Sequence, residues 1–151
     1  MRLAVAADHN GVELKARLVA WLQERGHEVD DRGSHDPHAV VDYPALCADV
    51  CRLVVDHEAD RGLVLGGSGA GEVIACNKHR GIRAGLCHDV WGTGISRGNN
   101  DSNVLVLGAK VVGPELAEQI LETWLTTPFK GGVHARRLEQ IAAIERGESL
   151  R

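Results

Sequence analysis

Aromatic residues are scarce, with three Trp, one Tyr and one Phe among 151 residues. That weighs against a flavin or nucleobase binder, whose rings need flat partners to stack on. An excess of positive charge is also missing. Asp and Glu total 21 against 17 Lys and Arg, for a net charge of −4, so nucleic acid and anionic membrane surfaces are not expected partners. No apolar run approaches the ~20 residues of a membrane span. The opening Met1-Arg2-Leu3-Ala4-Val5-Ala6-Ala7-Asp8 is too short and too soon interrupted for a signal peptide; it reads as a first strand, and a cytoplasmic location is expected. The four cysteines (Cys47, Cys51, Cys76, Cys87) form no C-x-x-C pair and sit inside apolar segments. They are read as small buried hydrophobes in a reducing compartment. Cys47 and Cys51 would share a helical face near His57, but no second ligand pair stands at zinc-site spacing, so no metal is expected.

Strand-like and helix-like segments alternate along the chain. Residues 2–7 read as a strand, and Leu14, Leu18, Trp21 and Leu22 then mark one helical face closed by Gly26. Residues 27–31 form a weak second strand and residues 32–41 a polar loop. Asp42-Tyr43-Pro44 opens a helix with Leu46, Val50, Leu53 and Val54 on one side. Residues 63–65 are the third strand, followed by a helix over 72–78, and residues 82–86 and 104–107 supply two more strands. Gly113-Pro114 starts a helix carrying Leu116, Ile120, Leu121 and Trp124. After Pro128 and the Gly131-Gly132 hinge comes a last amphipathic helix with Leu138, Ile141 and Ile144.

This order predicts an α/β fold, a doubly wound five-stranded parallel sheet in three layers. One domain is expected over residues 1–151, large enough to bury a core. From about residue 129 the chain should leave the body as a helix and tail, with an apolar stripe that a second copy would cover. Ligands of such sheets bind beyond the carboxyl ends of the strands. Four polar clusters fall there: Asp8-His9-Asn10, Ser68 with Glu72, His88-Asp89, and Gly108-Ala109-Lys110.

The densest signal is Leu63-Val64-Leu65-Gly66-Gly67-Ser68-Gly69-Ala70-Gly71-Glu72. A buried strand opens into glycines that let backbone N–H groups approach a ligand. A helix start beyond it favours phosphate or a developing oxyanion, and Glu72 at its rim is a candidate proton shuttle. The loop is not a P-loop, because Glu72 stands where that motif requires lysine. Nor is it the dinucleotide fingerprint, since the third position after Gly69 is Glu72 and not glycine.

Asp8-His9-Asn10-Gly11, Asp42-Tyr43-Pro44, Gly66 to Glu72, Ala75-Cys76-Asn77-Lys78 and Gly81-Ile82-Arg83-Ala84 together resemble ribose-5-phosphate isomerase type B, a family that includes galactose-6-phosphate and allose-6-phosphate isomerases. The similarity runs from Arg2 to about Ile144. It implies a flavodoxin-like sheet, a homodimer or dimer of dimers with active sites at the dimer interface, and neither metal nor organic cofactor. The reaction implied is aldose–ketose isomerisation of a phosphorylated sugar through a cis-enediolate. Many members use a cysteine base at the position of Gly66. Others use a glutamate, matched here by Glu72.

The resemblance assigns Ser68 to hydroxyl-proton relay, and the amides of Gly67, Gly69, Ala70 and Gly71 to the enediolate. Asp8, His9, Tyr43 and Asn100 become sugar ligands; His9, Lys110 and Arg137 become phosphate ligands, Arg137 from the neighbouring chain with His134 and Arg136 beside it. His27, His35, His38, His57 and His79 are read as surface residues.

Three positions depart from the family pattern. Asn99 replaces the histidine that opens the sugar ring, Val133 replaces a phosphate-binding arginine, and Lys110 replaces an arginine. An amide cannot exchange a proton near neutral pH. A pentose 5-phosphate closes into a furanose through its fourth oxygen; a tetrose 4-phosphate has that oxygen esterified and cannot close. The substitutions therefore fit erythrose 4-phosphate/erythrulose 4-phosphate as well as the ribose 5-phosphate default. A sugar-phosphate-binding subunit without catalysis, in a hetero-oligomer, is the competing reading.

Overall fold

The computed structural model describes residues 1–151. Five parallel strands, β1 (Arg2–Ala7), β2 (Glu28–Asp31), β3 (Arg61–Gly66), β4 (Ala84–Leu86) and β5 (Val104–Gly108), lie in the order β2-β1-β3-β5-β4. The order exchanges the last two strands of the flavodoxin arrangement. Six helices connect or follow them: α1 (Val12–Glu24), α2 (Tyr43–Val55), α3 (Ala70–Cys76), α4 (Val90–Gly98), α5 (Pro114–Thr126) and α6 (Val133–Glu145).

The central strands are apolar at every step because both faces are covered. Leu3, Val5, Leu63, Leu65, Leu105 and Leu107 meet Leu14, Leu18, Leu22, Ile120, Leu121 and Trp124 of α1 and α5. Their alternates Ala4, Ala6, Val64, Val104 and Val106 meet Cys47, Val50, Cys51, Val54 and Cys76 of α2 and α3. Smaller side chains on this second face let α2 close in. At Gly62 a Cβ would stand 2.6 Å from Cγ1 of Val50. All four cysteines are free and buried, as read from the sequence.

Four elements differ from expectation by two residues or more, β3 by running Arg61–Gly66 and not 63–65. β4 begins at Ala84, not residue 82, because side chains take over the ladder: Asn103 Oδ1 accepts from the Arg83 amide (2.8 Å) and Asn77 Oδ1 from the Ala84 amide (2.9 Å). α3 spans Ala70–Cys76 and not 72–78; Gly69 at φ +78° starts it early, and Asn77 bonds the carbonyls of Val73 and Ala84 at its end. α4 was unforeseen. Gly92, Gly94 and Gly98 give it low helical propensity, yet Asp89 caps it by accepting from the Gly92 amide at 2.7 Å. Tertiary packing supplies the rest: a Cβ on Gly85 would lie 2.2 Å from Ser96 Oγ, so the strand is bare where the helix presses on it.

α6 contributes no residue to either core cluster, and only Ala143 on it is buried. Val133, Ile141 and Ile144 remain 46–60% exposed. The Glu145 carboxylate ties it to the body by accepting from the Gly81 amide (3.1 Å to each oxygen), and Leu138, Ile141 and Ile144 line a cavity with Ile82 and Ala84. No helix is long and apolar enough to cross a membrane.

Candidate active site

The carboxyl ends of β1, β3 and β5 meet at one edge of the sheet. After β1, the Asp8 amide donates to Leu65 O at 3.0 Å, locking this turn to β3. The Asp8 side chain is 6% exposed. Its Oδ1 accepts from the amides of Asn10 (2.9 Å) and Gly11 (3.2 Å), and its Oδ2 from Asn10 Nδ2 (2.9 Å). Asp8 therefore orders the turn into α1, as a helix-entry residue does. Asn10 Nδ2 also faces His9 Nε2 at 3.3 Å. An amide nitrogen only donates, so in the neutral ring Nε2 accepts and Nδ1 carries the proton. His9 Nδ1 is shielded and bonds nothing within the chain.

After β3 the chain turns through Gly67, Ser68 and Gly69. The amides of Gly67, Ser68, Gly69 and Gly71 donate to no acceptor within the chain. Expected as a fourth donor, the Ala70 amide is instead satisfied by Ser68 Oγ at 3.2 Å. Such a nest of open amides is a concavity for an anion. α3 has only seven residues, so the donors and not a long dipole supply the attraction. The Gly67 carbonyl accepts from the Lys110 amide at 2.9 Å, which brings the segment after β5 against the loop. Gly108 must be bare there, since a Cβ would stand 2.5 Å from Ser68 O.

Glu72 is 4% exposed. Its carboxylate covers the Cα of Gly66 so closely that a Cβ there would lie 2.0 Å from Oε1, 2.2 Å from Cδ and 2.6 Å from Oε2. Burial is the main cause that holds the Glu72 carboxyl above the usual carboxylate range. Its own backbone amide pulls the other way and the Asp8 charge adds to the rise. Burial outweighs the backbone hydrogen bond. Tyr43 joins the cluster through α2, its hydroxyl 2.5 Å from where a Gly71 Cβ would be.

Asp8, His9, Tyr43, the glycine loop, Glu72 and the backbone at Lys110 thus converge within one chain. The remaining residues named from the sequence make no hydrogen bond to that cluster. Asn99 ends α4, with Oδ1 held by Lys130 Nζ at 2.9 Å. The Asn100 carbonyl accepts from Arg83 Nε at 3.2 Å. Arg136 and Arg137 are exposed on α6 without an ion-pair partner. No hydrogen bond joins Asn99, Asn100 or Arg137 to the Glu72 loop. His35, His38 and His57 are exposed as expected, whereas His27 and His79 are half-buried. No group of three or more His, Cys, Asp or Glu side chains is arranged to hold a metal.

Two further residues support this geometry, Asn10 within a polar cluster noted in the sequence and Lys130 with no sequence signal. Asn10 ties Asp8 and His9 together and approaches Gly67; its place in Asp8-x-Asn10-Gly11 is the turn pattern that could have marked it. Lys130 is separated from its partner Asn99 by 31 positions, and nothing local could reveal that contact.

Residues 3–141 match the ribose/galactose isomerase family model. The chain belongs to that family. Within it, the chain is 43% identical over 144 residues to ribose-5-phosphate isomerase B of Escherichia coli strain K12, covering 95% of this chain and 96% of that one. It is 37% identical over 149 residues to D-erythrulose-4-phosphate isomerase of Pectobacterium atrosepticum, covering 98% and 97%. The structure of Clostridium thermocellum ribose-5-phosphate isomerase B superposes with a TM-score of 0.96 at 43% identity, covering 99% of this chain and all of that one. The sheet order and the C-terminal helix are thus those of a ribose/galactose isomerase.

Proposed function

We propose that this protein interconverts a phosphorylated aldose and ketose with Glu72 as the base. One observation carries the assignment: a buried carboxylate fills the space above Gly66, beside open loop amides. Family membership supplies the reaction class, isomerisation of a sugar phosphate. Glu72 takes the proton from the carbon beside the carbonyl and returns it to its neighbour. Preorganised amides then stabilise the enediolate oxygens, typically the largest catalytic contribution. Ser68 handles the hydroxyl proton, and Asp8, Tyr43 and Asn100 hold the sugar. His9, Lys110 and Arg137 hold the phosphate.

Arg137 and Asn100 make no hydrogen bond to the Glu72 loop within one chain, and a second copy is the proposed source of these groups. The exposed apolar side of α6 is the surface that would bring it. The buried, unpaired thiols suit the cytoplasm. A binding subunit without turnover gives no reason to keep a carboxylate buried beside Asp8.

Between substrates, the open-chain tetrose 4-phosphate fits Asn99 best. The test incubates the protein with D-erythrose 4-phosphate and D-ribose 5-phosphate together in D₂O and follows each C2 proton by NMR. Faster exchange in the tetrose supports the assignment. Dominant exchange in ribose phosphate, only increased by Asn99→His, overturns the tetrose reading. Exchange in neither overturns the isomerase reading for both sugars.

A further inference from the structure

We propose that Lys130 is a positioning residue that fixes the Asn99 side chain as a hydrogen-bond donor and so favours an open-chain sugar phosphate over a furanose. The inference deepens the assignment above and rests on Asn99 facing the reacting sugar.

Lys130 sits in the segment between α5 and α6 and is exposed, yet no carboxylate lies within ion-pair distance of it. Its ammonium is spent on a neutral amide, Asn99 Oδ1 at 2.9 Å. Its backbone amide donates to Gly98 O at 2.9 Å. The side-chain stem lies across Gly98, where a Cβ would stand 3.2 Å from Lys130 Cε. Three attachments thus place one cation on the end of α4.

An ammonium has three donors and no acceptor. The oxygen of Asn99 must therefore face Lys130, and the Nδ2 group, which meets no acceptor within the chain, faces away. A group presented this way can donate to a carbonyl, an enediolate or a phosphate oxygen. It cannot accept a hydrogen bond from an anomeric hydroxyl, the contact that would hold a furanose in place for opening. A tetrose 4-phosphate, with no ring to open, loses nothing by that restriction. Without Lys130 the amide is free to turn over, presenting its oxygen to a substrate oxygen for part of the time.

The experiment compares kcat and KM for D-erythrose 4-phosphate and D-ribose 5-phosphate in the wild type, Lys130→Met and Lys130→Arg, with thermal melts alongside. Expected for Lys130→Met is a fall of about tenfold in the tetrose-to-pentose ratio of kcat/KM, carried mainly by a higher tetrose KM. Lys130→Arg keeps a cationic donor and should recover most of the ratio. In ¹⁵N-labelled protein the Asn99 side-chain amide pair should shift in Lys130→Met and much less in Lys130→Arg. An unchanged ratio in Lys130→Met, an equal loss on both sugars, or an arginine variant no better than methionine overturns the proposal. Glu72→Gln separates the two readings. It should remove turnover of both sugars whatever Lys130 does, so an unchanged ratio beside a dead Glu72→Gln counts against Lys130 alone.

Discussion

Glu72 and Gly66 share one volume: the carboxylate lies where any side chain at 66 would begin. A base at position 66 and a base at position 72 are therefore alternatives for the same place. Replacing Glu72 with Gln keeps the shape and removes the proposed base, so kcat in either sugar should fall about 10²–10⁴-fold with substrate binding largely retained. Gly66→Ala should cost about 10²-fold by displacing the carboxylate, since misplacement by about 1 Å has that effect; steady-state kinetics on both variants check this. Burial raises the pKa of Glu72, so the acid limb of the kcat profile should lie above the ordinary carboxylate range and vanish in Glu72→Gln. Linkage fixes the sign for stability. Between the unfolded value near 4.5 and the raised folded value the native state holds the extra proton, so stability falls as pH rises through that window. Glu72→Gln should accordingly melt higher than wild type at neutral pH, with the gap closing below the unfolded value; melts across pH test it.

Elements hold these side chains through contacts far apart in sequence. At the start of the sheet, Lys15 of α1 is 2% exposed and pairs with Asp31 of β2, which also accepts from the Gly33 amide at 2.9 Å. Removing Asp31 would leave a buried ammonium without its partner, so Asp31→Ala should cost about 3–5 kcal/mol in denaturant unfolding. Lys15→Met, which removes the charge itself, should cost much less. At the other side, Arg97 of α4 donates to Asp101 Oδ1 (2.8 Å) and Ser102 O (2.7 Å), while Ser102 Oγ accepts from Trp124 Nε1 (2.8 Å). That network fixes the segment carrying Asn99 and Asn100. The long strands and the α1, α2, α5 and α6 helices were legible because apolar period and Gly or Pro punctuation agreed. α4 was not, since three glycines mask a helix that packing against Gly85 and an Asp89 cap sustain.

At the scale of the whole molecule, the proposed site residues divide into a group joined to the Glu72 cluster within one chain and a group with no hydrogen bond to it. If a second chain supplies Arg137, two dead variants should rescue each other. Glu72→Gln mixed and subunit-exchanged with Arg137→Ala should recover about a quarter of wild-type activity, because half the dimers are mixed and each restores one of two sites. Demonstrated mixed dimers without activity would count against a shared site. The sequence by itself determined the α/β class, the helical and strand periods, and the glycine loop with its carboxylate, because these are local patterns of polarity and backbone freedom. Only the tertiary structure decided that Glu72 is buried over Gly66, that Asp8 raises its pKa further, that β5 lies inside β4, and that Lys130 holds Asn99. Each of these is a contact between chain segments whose approach is set by packing, and no local pattern records the distance between them.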